Sequence, residues 1–227
     1  MRSALRIESS RSALLLVDLQ EEQRSDPLYA SADIETVLNN ACRLLHAARE
    51  NGITVFHAGY RRDYAACPPR PFEPRSTGGA AMFSDKGSPL TRICAEVAPV
   101  GGEIVIYKND ASAFGETVLG HHLNQRGIEW LIIAGVWTEG WVAATVRDAM
   151  AQGFRVLIVK DACGSGTATM HQTAILNLAN RLYGGAVADT DRATALLEGA
   201  EATVWRCERP VPILFNLEDI GHHYASL

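Results

Sequence analysis

Short apolar runs alternate along the chain with longer segments in which apolar residues recur every three or four positions. The run ALLLVDL at residues 13–19 is apolar at nearly every position, which is typical of a strand buried on both faces. In residues 33–52 the apolar positions fall on one side of a helix, and Gly52 marks its end. The same alternation continues and predicts a parallel sheet covered by helices on both faces.

Six strands and five helices are predicted in this way. The strands cover 13–19, 53–58, 102–108, 129–135, 155–162 and 202–207, and the helices cover 33–52, 115–126, 138–152, 168–183 and 190–199. The predicted fold class is α/β, a single-domain three-layer αβα sandwich around a mainly parallel six-stranded Rossmann-like sheet. One domain is expected to span residues 1–227, because the chain suits one large core and has no internal repeat.

Residues 60–89 depart from this alternation, since arginines, prolines and a pair of glycines disfavour regular structure there. A long irregular loop in a compact domain is usually a lid, a binding loop or a subunit contact, and a solvated excursion is the alternative. Arg61, Arg62 and Arg70 belong to this loop. They could clamp a substrate carboxylate through paired hydrogen bonds, or they could form part of a solvated charged surface.

Composition excludes several classes of protein. The net charge of −5 argues against nucleic acid as the main partner. The sequence has no apolar run of about 18 residues, as a membrane span requires, and its N-terminal apolar segment is too short and too late for a signal peptide. Five scattered cysteines without metal-ligand spacing fit a reduced protein. We therefore expect a cytoplasmic protein with a small-molecule partner and no membrane partner.

The ends of the predicted strands are where an α/β sheet places its ligands. They carry Asp18, His57, Lys108, the turn at 135–141 and Cys163. Asp18 could simply cap a turn, and Lys108 could be a surface charge. Together they could instead form a catalytic acid–ammonium pair, in which burial would raise the pKa of Asp18 and a neighbouring Lys108 would lower it.

Three segments carry a resemblance to a known family: LLLVDLQ, YKNDASAF and GVWTEGWVAATVRDA. In this order and spacing they resemble the isochorismatase-like hydrolases, in particular the cysteine hydrolase branch that contains the N-carbamoylsarcosine amidases. The resemblance covers roughly residues 10–190. It implies that Asp18 and Lys108 are catalytic and that a cis peptide joins Val136 to Trp137. It also implies a homodimer or homotetramer, to which residues 168–183 or the loop contribute.

Trp141 is the departure from the family pattern, because most members have the catalytic cysteine at this position. An indole cannot act as a nucleophile, so covalent thiol catalysis at position 141 is excluded. The resemblance then implies a hydrolase that uses Asp18 and Lys108. Its substrate would be a small planar metabolite, and a negatively charged substrate is one alternative. The bond would be an amide or ureide C–N bond or an enol ether. Trp137, Trp141 and Arg61 are the expected substrate-binding residues.

Other interpretations stay open at this point. Cys163 could substitute as the nucleophile, although its setting fits a small buried residue of a turn better. The chain could be a catalytically silent relative that binds a small ligand, or an amidase whose nucleophile has been replaced. No further histidine follows His57 within the next 30 residues, so we expect no bound metal, and the resemblance implies no cofactor. His171 is expected to make a contact at a helix start or an interface.

Overall fold

The computed structural model describes residues 1–115 and 117–227. Across these ranges the chain forms eight β-strands and seven α-helices. The strands are β1 (Arg2–Leu5), β2 (Ser12–Val17), β3 (Thr54–Tyr60), β4 (Ile104–Lys108), β5 (Trp130–Val136), β6 (Arg155–Gly164), β7 (Ala186–Ala188) and β8 (Ala202–Arg206). The helices are α1 (Glu22–Ser25), α2 (Ile34–Glu50), α3 (Leu119–Gln125), α4 (Ala143–Ala151), α5 (Ala168–Ala179), α6 (Thr190–Leu197) and α7 (Ile220–Ser226).

All eight strands form one sheet in the order β1-β8-β7-β6-β5-β2-β3-β4. The six strands from β7 to β4 are parallel, while β8 pairs antiparallel with both β7 and β1. The predicted α/β class with a mainly parallel sheet is confirmed, but the expected number of six strands is wrong. β1 and β7 were not predicted, because they have only four and three residues and are too short for a periodic pattern.

Helices cover both faces of the sheet. Alternate residues of the central strands point into two separate cores, so that Leu14 packs with α2 and α6 while Leu15 packs with α3, α4 and α5. Every residue of β2 is buried, as expected for a central parallel strand. In the described ranges no helix is both long enough and apolar enough to cross a membrane.

The predicted irregular loop follows β3. Residues 61–88, all of which the structure describes, form no helix and no strand of the sheet, and their backbone pairing is limited to isolated bridges. The chain then passes through two short 3-10 turns at Pro89–Thr91 and Ala95–Val97 before it enters β4. This loop lies at the carboxyl ends of β3 and β4, which is the edge where ligands bind in sheets of this kind.

A groove of about 720 Å³ opens between α4 and α5 on the outside of the molecule. Its floor includes Ala143, Met150, Ala174 and Leu178, and Met170 at its margin is exposed. Assembly as a homodimer or homotetramer stays a prediction, and this groove is the surface that α5 would offer to a second copy. We expect light scattering at micromolar protein to give the mass of two or four chains. A monomeric mass would contradict the prediction.

Candidate active site

Asp18 lies directly after β2 and has only 2% of its surface exposed. Its φ angle is 53°, in the left-handed region that non-glycine residues seldom adopt. The backbone at Asp18 has therefore left the extended strand conformation, so the alternation of side chains along β2 does not determine the direction of this carboxylate. The Asp18 N–H donates to the carbonyl of Ala58 at 2.7 Å, which fixes this backbone against β3. A buried acid in an unusual backbone conformation at a strand end is typical of a functional site.

Lys108 is the partner of Asp18. It is the last residue of β4, is 1% exposed, and places its Nζ 2.7 Å from Oδ2 of Asp18. The other carboxylate oxygen, Oδ1, is buried and has no hydrogen-bond partner among the residues that the structure describes. Buried carboxylate oxygens are normally satisfied. The pair therefore offers one free acceptor at the sheet edge.

Burial shifts the pKa of both members of this pair. Removal from water raises the pKa of Asp18 to about 6, even though the charge and hydrogen bond of Lys108 act to lower it. Burial also lowers the pKa of Lys108, and the negative charge of Asp18 opposes this shift. Near neutral pH the two groups form an ion pair whose carboxylate is a stronger base than that of an exposed aspartate.

Three aromatic side chains, Tyr60, Phe83 and Trp141, form an aromatic cover over this pair. Their ring centroids lie 5.6 Å apart for Tyr60 and Phe83, 5.6 Å for Tyr60 and Trp141, and 6.0 Å for Phe83 and Trp141. The Nζ of Lys108 lies 4.6 Å from the Tyr60 ring and 5.8 Å from the Trp141 ring. The structure thus brings Asp18, Lys108 and Trp141 together, with the ion pair buried next to the aromatic cover.

Phe83 reaches the cover because the loop is anchored next to it. Glu22 at the start of α1 is buried, and it accepts hydrogen bonds from the backbone N–H of Ser84 at 2.7 Å and from the Ser84 hydroxyl. The carbonyl of Ser84 in turn accepts from the N–H of Arg62 at 2.7 Å. Neither Phe83 nor its anchor could be predicted from the sequence, because nothing in an irregular segment indicates a contact some sixty residues away in the chain.

The turn after β5 carries the third motif. The peptide bond between Val136 and Trp137 is cis, at the position that the resemblance implied. Residues Thr138–Val142 form a π-helical turn that continues into α4. Gly135 begins the turn with φ 138°, and a Cβ at this position would lie 2.0 Å from the carbonyl oxygen of Val17. Only glycine allows the turn to pack this closely against β2.

Trp137 and Arg61 are not part of the cluster beneath the cover. The indole of Trp137 packs against Gly166 and donates to Oε1 of Gln23 at 2.7 Å, and it joins the core on the α2 side of the sheet. Arg61 follows Tyr60 in the chain, and strand alternation sends it to the opposite face, where it stacks 3.5 Å from the ring centroid of Tyr107. Their predicted roles in substrate binding therefore lack support from contacts with Asp18 or Lys108.

Arg62 and Arg70, two other arginines of the loop, already have partners. Arg62 is buried, pairs with both carboxylate oxygens of Glu73 at 2.8 Å, and donates to the Asn109 carbonyl. Arg70 pairs with Asp110. A clamp of free arginines for a substrate carboxylate is thus not assembled here. A cavity of about 280 Å³ lies among these side chains, and Lys108 lines it whereas Asp18 and Trp141 do not.

The other polar candidates from the strand ends serve different contacts. His57 is buried and its Nε2 lies 2.8 Å from Glu103, which also pairs with Arg49. Cys163 is 3% exposed, and burial raises the pKa of its thiol to about 12, so that it stays protonated near neutral pH. Within residues 1–115 and 117–227, no three His, Cys, Asp or Glu side chains gather in a set that could hold a metal ion.

This architecture is that of known hydrolases. A cysteine hydrolase from Pseudomonas syringae pv. phaseolicola aligns with a TM-score of 0.75 and 19% identity, over 86% of this chain and 95% of that chain. The model of the isochorismatase domain matches residues 12–192. The chain therefore belongs to the isochorismatase family, as the three sequence segments indicated.

Two relatives from this family have assigned reactions. A maleamate amidohydrolase from Pseudomonas putida is 32% identical over 190 residues, which cover 80% of this chain and 84% of the relative. An N-carbamoylsarcosine amidase from Arthrobacter sp. is 31% identical over 201 residues, which cover 83% of this chain and 72% of the relative. The names of both denote cleavage of a C–N bond in a small molecule.

Proposed function

We propose that this protein hydrolyses the C–N bond of a small planar amide or ureide, with Asp18 and Lys108 as catalytic residues and without a cysteine nucleophile. One observation carries the proposal. The buried carboxylate of Asp18 has one oxygen paired with Lys108, while its other oxygen has no partner among the described residues. A structural ion pair would normally satisfy both oxygens, whereas a general base needs one free oxygen to accept a proton.

The reaction follows from this arrangement. Oδ1 of Asp18 takes a proton from a water molecule, and the water oxygen forms a bond to the carbonyl carbon of the substrate. The negative charge then moves to the carbonyl oxygen, where a nearby cation such as Lys108 stabilises it. When the C–N bond breaks, Asp18 returns the proton to the departing nitrogen. The products are a carboxylic acid or carbamate and an amine or ammonia, and Asp18 ends in its starting state.

Trp141, by this proposal, stands at the position where cysteine-dependent members have their nucleophile. It lies in the π-helical turn that leads into α4, and its ring lies 5.8 Å from Nζ of Lys108. Cys163 does not replace the missing thiol, because its sulfur is buried and its pKa is raised. Water is therefore the nucleophile that remains in the proposed reaction.

The substrate class follows from the charges and the walls of the site. The Asp18–Lys108 pair is neutral overall, and the aromatic cover favours a flat group. An amide or ureide N–H could donate to the free oxygen of Asp18, and the substrates named for the two relatives contain such groups. An enol ether lacks this donor and has less support. Arg62 and Arg70 are already paired with Glu73 and Asp110, so an anionic substrate bound by these two arginines would need to displace those carboxylates.

A second candidate function is the binding of a small ligand without hydrolysis. The observation that favours it is the cover itself, since Asp18 and Lys108 are almost inaccessible beneath Trp141, Tyr60 and Phe83. Hydrolysis requires that the loop carrying Phe83 opens or that the indole of Trp141 moves. A silent relative needs neither motion.

A panel of small amides distinguishes the two candidates. Purified protein is incubated with maleamate, N-carbamoylsarcosine and simple ureides, and the release of ammonia or amine is measured. We expect turnover of at least one compound, and turnover slower by on the order of a hundredfold or more for a chain carrying Asp18→Asn. Binding in calorimetry without any product would support the second candidate instead.

The pH dependence of the reaction provides a further prediction. The base must be ionised, so kcat/KM should rise as the pH increases through about 6 and then level off. Stability should move in the opposite direction. Because the folded state raises the pKa of Asp18 from 3.8 to about 6, ionisation lowers the free energy of unfolding as the pH rises across this interval. Rate profiles and urea melts from pH 4 to about 8 test both signs, and a rate that falls through about 6 would contradict the role as base.

Thiol reagents and chelators should leave the activity intact. The proposed reaction uses no sulfur, and the sequence predicts no bound metal. We expect full turnover after treatment with iodoacetamide and with a chelator, measured on the substrate found in the panel. Complete loss after alkylation, together with the same loss in Cys163→Ala, would identify Cys163 as the nucleophile and overturn the non-covalent mechanism.

A further inference from the structure

A chain of hydrogen bonds links the C-terminal helix to the turn that carries Trp141. Tyr224 in α7 places its hydroxyl 3.0 Å from Nε2 of His171, near the start of α5. Nδ1 of His171 lies 2.8 Å from Oγ1 of Thr138, the first residue of the π-helical turn. The Thr138 hydroxyl lies 2.8 Å from the carbonyl oxygen of Gly164, at the end of β6. The proposed reaction uses none of these groups.

The protonation of His171 can be deduced from its surroundings. Burial lowers its pKa to about 4, so the imidazole is neutral near neutral pH and has one N–H donor and one acceptor nitrogen. The carbonyl of Gly164 can only accept, so the Thr138 hydroxyl donates to it and accepts from Nδ1–H. Nε2 then accepts from the phenol of Tyr224. With this tautomer each of the three hydrogen bonds, at 3.0, 2.8 and 2.8 Å, has one donor and one acceptor, and all three donate in the direction from Tyr224 to Gly164.

The opposite tautomer satisfies fewer groups. An Nε2–H would face both the Tyr224 oxygen and the Lys160 carbonyl, and the phenol hydrogen would turn to the same carbonyl at 3.4 Å, which is long for an O–H···O bond. The Thr138 hydroxyl would then donate to Nδ1, and its short bond to Gly164 would be lost. Because Thr138 is completely buried, water cannot replace that bond. The distances therefore favour the Nδ1–H tautomer.

We propose that Tyr224 and His171 are positioning residues that hold the turn at 138–142, and with it Trp141, through an ordered Tyr224→His171→Thr138→Gly164 relay. Its remote end is firmly held, since Nζ of Lys160 donates to the Tyr224 carbonyl at 2.9 Å and lies 4.8 Å from its ring. This inference rests on the proposed function for the roles of Asp18 and Lys108. Through the relay, the position of Trp141 above the catalytic pair depends on the docking of α7.

The tautomer of His171 tests the relay without any substrate. Nitrogen-15 NMR of the native protein should show a protonated Nδ1 and an unprotonated Nε2 for this histidine at pH 7. Tyr224→Phe keeps the ring that packs on His171 and removes only the hydroxyl. We expect the Nε2 resonance to move and the indole signal of Trp141 to shift. The matched control is Tyr183→Phe, since Tyr183 is 52% exposed and should alter neither signal.

The kinetic test uses the substrate of the proposed reaction. Tyr224→Phe should lower kcat by about fivefold, the size expected for one buried hydrogen bond, and leave KM nearly unchanged. In a Thr138→Val background the same substitution should have no further effect, because the relay is already broken. An Nε2–H tautomer in the native protein, or an unmoved His171 resonance in Tyr224→Phe, overturns the relay. If the NMR results hold but no amide is cleaved, the relay stands and the proposed function fails.

Discussion

Asp18→Asn should reduce kcat/KM on the cleaved amide by on the order of a hundred- to ten-thousand-fold, the loss expected for a general base. The substitution removes the negative charge beside Lys108 and replaces one carboxylate oxygen by an amide nitrogen, which cannot accept a proton, while the shape of the side chain is nearly unchanged. The backbone should tolerate it, because asparagine is among the few residues that accept the left-handed conformation found at this position. Steady-state kinetics at pH 8, where the native carboxylate is ionised, provide the measurement.

Asp191→Asn is the matched control, since the side chain of Asp191 is 81% exposed and lies outside the site. It should change the rate less than twofold, an effect that lies within ordinary surface variation. Thermal melts of both variants show whether any loss of rate comes from unfolding. If Asp18→Asn retains more than a tenth of the native rate while folded, Asp18 is not the base, and another group activates water.

The main features of the sheet could be predicted from the sequence because they depend on local patterns. A buried parallel strand is a continuous apolar run, and α2 shows its buried side at every third or fourth position. Asp18 and Lys108 could be placed at one edge because both end parallel strands. Their separation of 2.7 Å could not be predicted, since it depends on the left-handed turn at Asp18 and on the reach of a long side chain.

The aromatic cover could be predicted only in part. Trp141 was found because it interrupts a motif, and Tyr60 lies two residues beyond a predicted strand. Phe83 lies in an irregular loop, and such a loop has no periodic pattern of apolar residues from which to predict which residues pack against the sheet. Its anchor, Glu22, looked like any charged residue of a short polar helix, and burial alone distinguishes it.

The relay from Tyr224 could not be predicted from the sequence, for a different reason. Its four members are separated by up to 86 positions, from Thr138 to Tyr224, and each is a common residue in an ordinary setting. Only the pKa of His171 and the three distances together give the hydrogen bonds a direction. The sequence predicted that His171 makes a contact at the start of a helix, but it did not predict the relay to which His171 belongs.

The aromatic cover leads to a prediction about the stability of the protein and the solvent exposure of the catalytic pair. Removal of the indole at position 141 should expose Asp18 and Lys108, because Trp141 contacts both other aromatic rings above the pair. A large-to-small substitution of a partly buried tryptophan is expected to lower the free energy of unfolding by about 3 kcal/mol, with much of the cost arising from the space left behind. Any variant at this position therefore needs a melt beside its kinetics.

Trp141→Cys should convert the site into one with a reactive thiol. The new sulfur would lie in the turn that leads into α4, close to the carboxylate of Asp18 and the ammonium of Lys108. A helix start and a nearby cation lower the pKa of a cysteine, to roughly 3.5–7.5 in reactive sites. We expect iodoacetamide to label the introduced thiol selectively and an amide substrate to leave an acyl group on it, each located by mass spectrometry of peptides.

Two further variants separate the chemistry of the introduced thiol from the opening of the site. Trp141→Ser, which opens the same space without a thiol, should give neither the alkylated nor the acylated peptide. In Trp141→Cys combined with Asp18→Asn, acylation should fall sharply, because the group that accepts the thiol proton is gone. A thiol at position 141 that stays unacylated and keeps a pKa near the ordinary value of about 8.5 would show that this position is not the nucleophile site of the family.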